Sequence, residues 1–454
     1  MSMSKKISRQ KDLTKKVLCS LLAAGVLSVA LPMSGFAVQV VDYGNIDQEG
    51  GRRVISVALS EDTTVVNDNA TGITTVTGQE FELDYDGSSK PGTSIIQSRA
   101  EKVMSVYPEL NVLAQNSIIL KSNYVVLAGQ DGRVNVSSTA GNVVLETTFT
   151  SNATIGDRTQ AEALSDEAYS PIYARNLFSK DGVAGEITVR GKTVSVLTAE
   201  NTIAGIKYGT AISGNGNGAV NIHATDEVVI HGAIESLNSS LQGGTTGIKV
   251  NINQDNADTA KVTMEGLFIN AADKSEVNIK GAFGSSVKAD LLASATKVAA
   301  GNGGKINIDF ADGGSVEGDI TAQNGGSINI SGADVKGLAK VTGEKTALNI
   351  DGGTVEFVKP SVDYAGGNEY RYAALFVSDG AKSEYGTNTV IDKMVFNSAN
   401  ATTNSSSNTP GTAYNAAVVT GGSTLDINAK ELYVGSETRG GDRGFRLTGA
   451  GNTL

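Results

Sequence analysis

The sequence is poor in the residues that build ordinary globular cores and disulfide frameworks. Its 454 residues include no Trp, six Pro, one Cys, 13 Tyr and 11 Phe. So few aromatic rings exclude several separate cores packed around large side chains. What the chain has instead is glycine, 54 residues of it, with 40% hydrophobic and 19% charged residues. This balance is typical of a folded chain and excludes intrinsic disorder.

Basic residues are also scarce beyond the first part of the chain. Residues 1–37 contain six basic side chains and one acidic side chain, which leaves 31 basic and 47 acidic ones in residues 38–454. The resulting net charge of −16 on residues 38–454 repels phosphate backbones. We therefore expect no nucleic-acid partner.

The first 37 residues have the pattern of a secretory signal. A basic segment precedes an apolar run over residues 17–31, and Gly35 and Ala37 supply small residues at the −3 and −1 positions of a cleavage site. We predict cleavage after Ala37. The apolar run is shorter than the ~20 residues that a membrane-spanning helix needs. Because Cys19 lies inside this run, the exported chain would have no disulfide and would rely on sheet pairing and burial.

The most informative pattern is a recurring triplet of an aliphatic residue, asparagine and a second aliphatic residue. Gly-Gly often stands just upstream, and from Asn221 onward the triplets recur every 20–30 residues. Alternation of this kind predicts a short strand with its aliphatic side chains on one face and Asn on the other. The triplets are centred on Asn135, Asn221, Asn251, Asn278, Asn307, Asn329 and Asn349, with Leu425-Asp426-Ile427 as a variant.

The repeat predicts an all-β fold, a right-handed parallel β-helix. Parallel pairing needs a long connection, and the intervals here contain further short strands rather than helices, so the chain must coil with each strand on its counterpart one turn earlier. At roughly 25 residues and ~4.8 Å per turn, the chain after Gly129 would make about 13 turns and a rod of about 60 Å. We expect a structural ladder of stacked amides along it. Its members are Asn221, Asn251, Asn278, Asn307, Asn329 and Asn349.

The repeat also suggests how the chain is divided. We interpret residues 38–125 as an N-terminal cap with early irregular turns, because the ends of solenoids need shielding. Residues 126–454 form the β-helix, truncated at its C-terminus, since the sequence stops where the next inward residue of a strand is due. Residues 398–412 form a polar loop that protrudes from the rod. One short helix is predicted over residues 160–169.

With a long basic signal, a cysteine-free acidic body and Gly-Gly-Ser-Ile-Asn-Ile turns over about 183–454, the chain resembles the passenger region of a bacterial autotransporter. The resemblance implies a secreted or surface-displayed rod, structural or adhesin-like, carried across the outer membrane by a C-terminal translocator barrel. No run of ten-residue alternating strands with aromatic girdles is present, so the resemblance is to an N-terminal fragment without that barrel. A two-partner-secretion exoprotein is an alternative, but such proteins have Asn-Pro-Asn motifs and this chain has no Asn-Pro pair.

The sequence contains few candidates for chemistry. Neither Gly-Asp-Ser-Gly nor Gly-x-Ser-x-Gly occurs, and His223 and His231 are the only histidines. Both histidines fall on the parity opposite the aliphatic residues, so we expect them to face solvent. With Glu227 on the same parity they could form a weak surface metal site. Two solvated imidazoles are the preferred interpretation.

A polysaccharide lyase or glycoside hydrolase is the enzymatic alternative, because many such enzymes are β-helices. They need carboxylates ~5–10 Å apart on one face, and Asp309, Asp312 and Asp319 are the candidates. Their places beside glycine corners suit turn residues better. We therefore predict no intrinsic catalysis, no cofactor and no metal. The expected partners are glycans or proteins on host or neighbouring cells, and the outer-membrane translocator.

Overall fold

The computed structural model describes residues 37–42, 52–59, 62–68, 70–84, 96–99, 108–122, 125–129, 132–147, 170–175, 185–198, 209–237, 247–255, 259–295, 303–358, 373–397, 415–435 and 443–454. These residues form 31 strands and no helix. The first ten are β1 (Ala37–Asp42), β2 (Arg52–Leu59), β3 (Thr64–Asp68), β4 (Ile73–Asp84), β5 (Ile96–Arg99), β6 (Glu109–Ser122), β7 (Val126–Gly129), β8 (Arg133–Ser138), β9 (Val143–Thr147) and β10 (Ile172–Arg175). The next eleven are β11 (Glu186–Thr198), β12 (Thr210–Asn215), β13 (Ala219–His231), β14 (Ala233–Leu237), β15 (Lys249–Ile252), β16 (Lys261–Ala272), β17 (Glu276–Gly281), β18 (Ser286–Ser294), β19 (Lys305–Glu317), β20 (Ile320–Gln323) and β21 (Ser327–Gly337). The last ten are β22 (Ala339–Thr342), β23 (Ala347–Asp351), β24 (Thr354–Val358), β25 (Ala373–Ser378), β26 (Lys382–Tyr385), β27 (Ile391–Asn397), β28 (Asn415–Thr420), β29 (Thr424–Ile427), β30 (Ala429–Gly435) and β31 (Arg443–Thr448).

The strands coil as a parallel β-solenoid with three faces. Face 1 runs through β4, β6, β8, β11, β13, β15, β17, β19, β21, β23, β26 and β29, each paired in parallel with the next. Face 2 runs through β4, β6, β9, β11, β13, β16, β18, β19, β21, β24, β27 and β30. Face 3 runs through β5, β7, β10, β12, β14, β16, β18, β20, β22, β25, β28 and β31. The longer strands bend at a corner and belong to two faces.

The described strands make twelve turns of the solenoid, which at ~4.8 Å per turn gives a rod of about 55 Å. The prediction of an all-β fold of parallel strands is confirmed. Ten turns rather than about 13 follow Gly129, from β8 to β29, so the predicted number was too high. The assumed turn length was too short, because further residues lie between consecutive strands of one turn. Examples are residues 148–171 between β9 and β10 and 359–372 between β24 and β25.

Period-two alternation places the core inside the coil. In β13 the side chains of Val220 and Ile222 are fully buried, while Asn221 between them is partly exposed. Val220 and Ile222 pair with Val250 and Ile252 of the next turn. Each inward aliphatic side chain therefore stacks on another, and burying one contributes about 1.5–3 kcal/mol.

Glycine is required at corners where the backbone of successive turns approaches closely. Gly332 follows the face-1 segment of β21 with φ +67, and a Cβ built there would lie 1.9 Å from the Phe310 carbonyl oxygen of the preceding turn. A side chain at this position would clash with backbone and strain its own conformation.

The N-terminal end of the stack differs from the rest in strand direction. Strand β1 pairs antiparallel with β2, β2 pairs antiparallel with β5, and β3 pairs antiparallel with β4. Strands β4 and β5 then begin the parallel faces. Of the other sequence predictions, the short helix at 160–169, the polar loop at 398–412 and the signal segment before Ala37 lie outside the described residues.

The core becomes aromatic in the later turns. Phe357, Tyr385 and Phe396 are buried, with ring centroids 5.7 Å apart for Phe357 and Tyr385 and 5.5 Å apart for Phe357 and Phe396. Phe445 extends the stack, 5.4 Å from Phe396. Burial raises the pKa of the Tyr385 hydroxyl, which accepts a hydrogen bond from Ser383 at 2.8 Å. The rod thus packs rings as well as aliphatic side chains along its axis.

Candidate functional site: the amide ladder and the cleft at its end

Six asparagines on successive turns of face 1 are joined by side-chain hydrogen bonds, and we call them the amide ladder. In each bond Nδ2 of one residue donates to Oδ1 of the residue one turn earlier. The bonds are Asn251 to Asn221 (2.9 Å), Asn278 to Asn251 (2.9 Å), Asn307 to Asn278 (2.7 Å), Asn329 to Asn307 (2.7 Å) and Asn349 to Asn329 (2.7 Å).

The ladder follows from the register of the strands. Inward aliphatic side chains stack in register, so parallel pairing brings the residue between them onto its own counterpart one turn away. Identical amides then repeat at the strand spacing and can bond along the axis. Asn135 donates to Asn111 at 2.6 Å in the same way, and Thr188 separates this pair from the ladder.

A carboxylate lies at each end of the ladder. Asn221 Nδ2 donates to Glu186 Oε1 at 3.1 Å at the first end. At the other end Glu384 pairs with Asn349 on the next turn, and Asn349 Oδ1 lies 3.2 Å from Glu384 Oε2. In this orientation two acceptors face each other, and turning the amide brings Asn349 Nδ2 to Glu384 Oε2 instead.

Turning the amides does not remove this conflict. If Asn349 alone were turned, its Nδ2 would donate to Glu384, but its oxygen would then lie 2.7 Å from Asn329 Oδ1. Turning the whole ladder would bring Asn221 Oδ1 against Glu186 instead. A line of amides has one donor end and one acceptor end, so it cannot satisfy a carboxylate at both.

A cleft of about 430 Å³ opens on the outer surface beside the Glu384 end of the ladder. Its floor is formed by the last two turns of the ladder, and a turn after β26 forms one wall. The lining residues are Asn329, Ile330, Ser331, Asn349, Asp351, Glu384, Thr387, Asn388 and Thr389.

Asp351 holds the wall of the cleft in place. Its carboxylate accepts from the Asn388 backbone N–H at 2.8 Å, from Asn388 Nδ2 at 2.8 Å and from the Thr389 backbone N–H at 3.3 Å. The Thr389 carbonyl in turn accepts from the Gly352 N–H at 2.9 Å. These four bonds tie the wall to the preceding turn of the solenoid.

Charged side chains flank the amides elsewhere on face 1. Ion pairs between successive turns cover the flanks, as in Lys249–Glu276 at 3.7 Å. Near the cleft the corresponding residues are Ser327, Ser331, Ala347 and Asp351. Lys382 contacts Glu384, whose side chain is 19% exposed.

The structure corrects the prediction for one histidine. His223 has the expected outward parity but is 8% exposed, because Asp255 in the turn after β15 covers it. His223 Nδ1 lies 3.0 Å from Asp255 Oδ2, outside good hydrogen-bond alignment, and Arg190 lies 3.6 Å from the same carboxylate. Burial and the Arg190 charge lower the pKa of His223, and Asp255 opposes them.

The residues suggested for a metal site do not surround a common point. Glu227 accepts a hydrogen bond from Thr263 Oγ1 at 3.1 Å, and His231 ends the face-2 segment of β13, partly exposed. Within the described part of the chain no group of three or more His, Cys, Asp or Glu side chains could hold a metal ion.

The three candidate carboxylates lie at two corners of the coil. Asp309 and Asp312 are exposed between the face-1 and face-2 segments of β19, whereas Asp319 follows the face-2 segment. Asp309 accepts from Ser331 Oγ at 2.7 Å. Burial and the neighbouring Asp290 raise the pKa of Asp319, whose backbone N–H donates to Asp290 at 2.8 Å. Asp309 and Asp319 thus connect adjacent turns.

Sequence reasoning missed several residues of this region. Asn111 lies in an aliphatic-Asn-aliphatic triplet that was available in the sequence but was assigned to the irregular part of the chain. Asp255, Asp351 and Glu384 gave no signal, because their partners come from neighbouring turns. For Glu384, the strand Ser383-Glu384-Tyr385 has neither the asparagine nor the aliphatic residues of the repeat.

Comparison with protein-family models, with curated proteins and with solved structures finds no match for this chain. Among the described residues, no helix has the length and apolar character needed to cross a membrane. The solenoid, the ladder and the cleft are therefore the observations on which a function can be argued.

Proposed function

We propose that the protein is an exported, cell-surface or extracellular rod, the passenger of an autotransporter, with a structural or adhesive role and no catalysis of its own. The observation that carries this proposal is the uninterrupted twelve-turn solenoid. A rod of this kind exposes a long surface on which many weak polar contacts can add together. The partners would be glycans or proteins on host or neighbouring cells, and the translocator barrel for export.

The finer features of the fold belong to the same proposal. The solenoid is a right-handed parallel β-helix, the hand that parallel crossovers adopt almost without exception. The antiparallel strands β1, β2 and β3 act as an N-terminal cap that shields the first turn. Residues 1–37 are the export signal. Cleavage after Ala37 would leave Val38 as the first residue of β1.

A solenoid without disulfides suits such a route. Each turn contacts only its neighbours, so folding can start at one place and propagate turn by turn after the chain has crossed a membrane. The acidic surface keeps the rod soluble. Neither property depends on cofactors or on oxidation.

Export can be tested with the whole chain expressed in a diderm bacterium. Cell fractionation and intact-mass measurement should find a product that begins at Val38, and Ala37→Lys should block this processing because the −1 position requires a small residue. Ser34→Ala is the matched control and should be processed normally. An unprocessed cytoplasmic product from the parent chain would refute export.

The absence of catalysis needs a separate assay. Purified protein is incubated with acidic polysaccharides, and the release of unsaturated or reducing ends is followed. We expect none. Turnover that disappears when Asp309 and Asp312 are replaced by Asn would make the protein a polysaccharide-degrading enzyme and overturn the proposal.

A further inference from the structure

We propose that Asn217 is a site of spontaneous covalent modification, at which its side-chain amide is converted to a carboxylate through a cyclic imide formed with Gly218. The pair lies in the corner of residues 215–218, which connects β12 to β13. The observation that carries the proposal is that the reacting groups of this Asn-Gly pair are not held by hydrogen bonds. The reaction depends on neither export nor display.

The corner at residues 215–218 lacks the hydrogen bond that closes comparable corners. At five other corners the residue just before a face-1 strand donates its N–H to the carbonyl three residues earlier. Gly218 has the same place before β13, but residues 216–217 form an open bend, and the Gly218 N–H is not bonded to any described residue. A buried backbone N–H without a partner is uncommon in folded proteins. The five closing bonds are Gly132 to Gly129 (2.9 Å), Ser275 to Ala272 (3.1 Å), Gly326 to Gln323 (3.0 Å), Thr346 to Gly343 (3.2 Å) and Ala381 to Ser378 (3.2 Å).

The side-chain carbonyl of Asn217 is not held either. Its Oδ1 is buried and has no hydrogen-bond partner among the described residues, although the residue as a whole is partly exposed. Neither the attacking nitrogen nor this carbonyl must therefore break a hydrogen bond before they react. Gly218 has no Cβ to hinder ring closure. The fold favours glycine there, because a Cβ would lie 3.0 Å from the Gly185 carbonyl oxygen and 3.1 Å from Ile248 Cδ1.

The reaction needs only water. Hydroxide takes the proton of the Gly218 N–H, and the nitrogen attacks Asn217 Cγ. The new N–C bond closes a five-membered ring, the bond from Cγ to Nδ2 breaks, and ammonia leaves with a proton from water. Water then adds to one of the two ring carbonyls and opens the ring to aspartate or isoaspartate. An amide and water thus become a carboxylate and ammonium, with no oxidation or reduction.

A second Asn-Gly pair, at the corner before β21, is held in place. Asn324 Nδ2 donates to the Ala295 carbonyl at 3.2 Å, and the Gly325 N–H donates to Thr346 Oγ1 at 2.8 Å. These bonds must break before the nitrogen can reach the side-chain carbon, which slows the reaction. The two pairs have the same local sequence and different hydrogen bonding, so Asn324 is the internal reference for Asn217.

Conversion would alter the entry to the amide ladder. Ala219, which follows Gly218, pairs with Glu186 of the preceding turn, and Glu186 also accepts from the first ladder amide. A carboxylate at position 217 adds a negative charge where a buried neutral oxygen lay. Isoaspartate also lengthens the main chain by one carbon at this corner. We therefore expect the converted protein, separated by ion exchange, to melt at a lower temperature than the parent.

The test uses the purified 454-residue protein, incubated at pH 8 either folded or in urea. Amide-to-acid conversion is located by mass spectrometry in the tryptic peptides 208–249 and 306–336. In urea we expect similar rates at the two asparagines. In the folded protein Asn217 should convert at least about tenfold faster than Asn324, since the hydrogen bonds at Asn324 add to its barrier. Equal rates in the folded protein, or faster conversion of Asn324, would overturn the proposal.

Two variants connect the rates to these hydrogen bonds. Thr346→Val removes the acceptor of the Gly325 N–H with little change in shape, and it should speed conversion at Asn324 while leaving Asn217 unchanged. Asn217→Gln requires a larger ring and should remove conversion at position 217. If Thr346→Val leaves Asn324 as slow as in the parent, hydrogen bonding does not control the reaction and the proposal is wrong. The comparison within the parent chain decides the question if either variant misfolds.

Discussion

Removing one amide from the middle of the ladder should destabilise the solenoid by a predictable amount. Asn307 Nδ2 donates to Asn278 Oδ1 at 2.7 Å, and Asn307 Oδ1 accepts from Asn329 at 2.7 Å. Asn307→Ala therefore removes two ladder bonds. Each contributes about 0.5–1.5 kcal/mol net, so we expect a loss of about 1–3 kcal/mol in the free energy of unfolding.

The assay must report on the affected turn, because a solenoid can unfold in parts. Urea denaturation gives the overall midpoint, and hydrogen exchange of the peptide spanning residues 305–317 gives the local protection. Both should fall, with the slope of the denaturation curve unchanged. Thr321→Ala is the control, since Thr321 lies partly exposed on face 3 and is not hydrogen-bonded through its side chain; we expect a change within about 0.5 kcal/mol.

Asn307→Asp is a second test of the ladder hydrogen bonds. An ionised aspartate would face Asn278 Oδ1 and, at the position of Nδ2, Glu276 Oε1 at 3.3 Å. It should destabilise more than alanine at pH 7, and the loss should shrink toward acidic pH, where a protonated aspartic acid can donate again. If Asn307→Ala and Asn307→Asp leave the midpoint and the local exchange unchanged, the ladder bonds contribute nothing to stability.

Three other predictions follow from burial, charge and backbone conformation. Ile330→Asp places a carboxylate at a position that is 2% exposed and should cost several kcal/mol, seen as a lower denaturation midpoint; an unchanged midpoint would contradict the core assignment. Because the pKa of His223 is lowered in the folded state, the unfolded chain binds a proton at higher pH than the folded chain does. The free energy of unfolding should therefore fall as the pH drops below about 6.5. Melting temperatures measured from pH 7.5 to 5 should depend less on pH for His223→Gln than for the parent. Gly332→Ala should destabilise by more than about 1 kcal/mol, whereas Gly444→Ala, which has open space around its Cβ position, should be neutral; equal melting temperatures for the two would disprove the steric argument.

The coiled fold could be predicted because one local rule repeats along the chain. Alternation in triplets such as Val250-Asn251-Ile252 fixes which side chains point inward, and in-register stacking then brings Asn251 onto Asn221. The number of turns could not be predicted, because additional residues between strands lengthen a turn in sequence without changing which strands pair. Composition alone does not say where such residues are inserted.

The cleft could not be predicted because its residues come from three turns. Asp351 lies far in sequence from Asn388, and only the coil brings the two together. His223 shows the same limit, since parity gave its direction correctly but its burial depends on Asp255 from the following turn. Local patterns thus define the faces of the rod, whereas pockets and covered side chains depend on contacts between neighbouring turns of different length.

The common orientation of the ladder amides also gives the rod an electrical direction. Every Nδ2 points toward Asn221 and every Oδ1 toward Asn349, so the individual amide dipoles add head to tail as peptide dipoles do in a helix. The partial negative pole of this line falls at the cleft. A line of neutral side chains therefore adds to the negative potential of the carboxylates at that end.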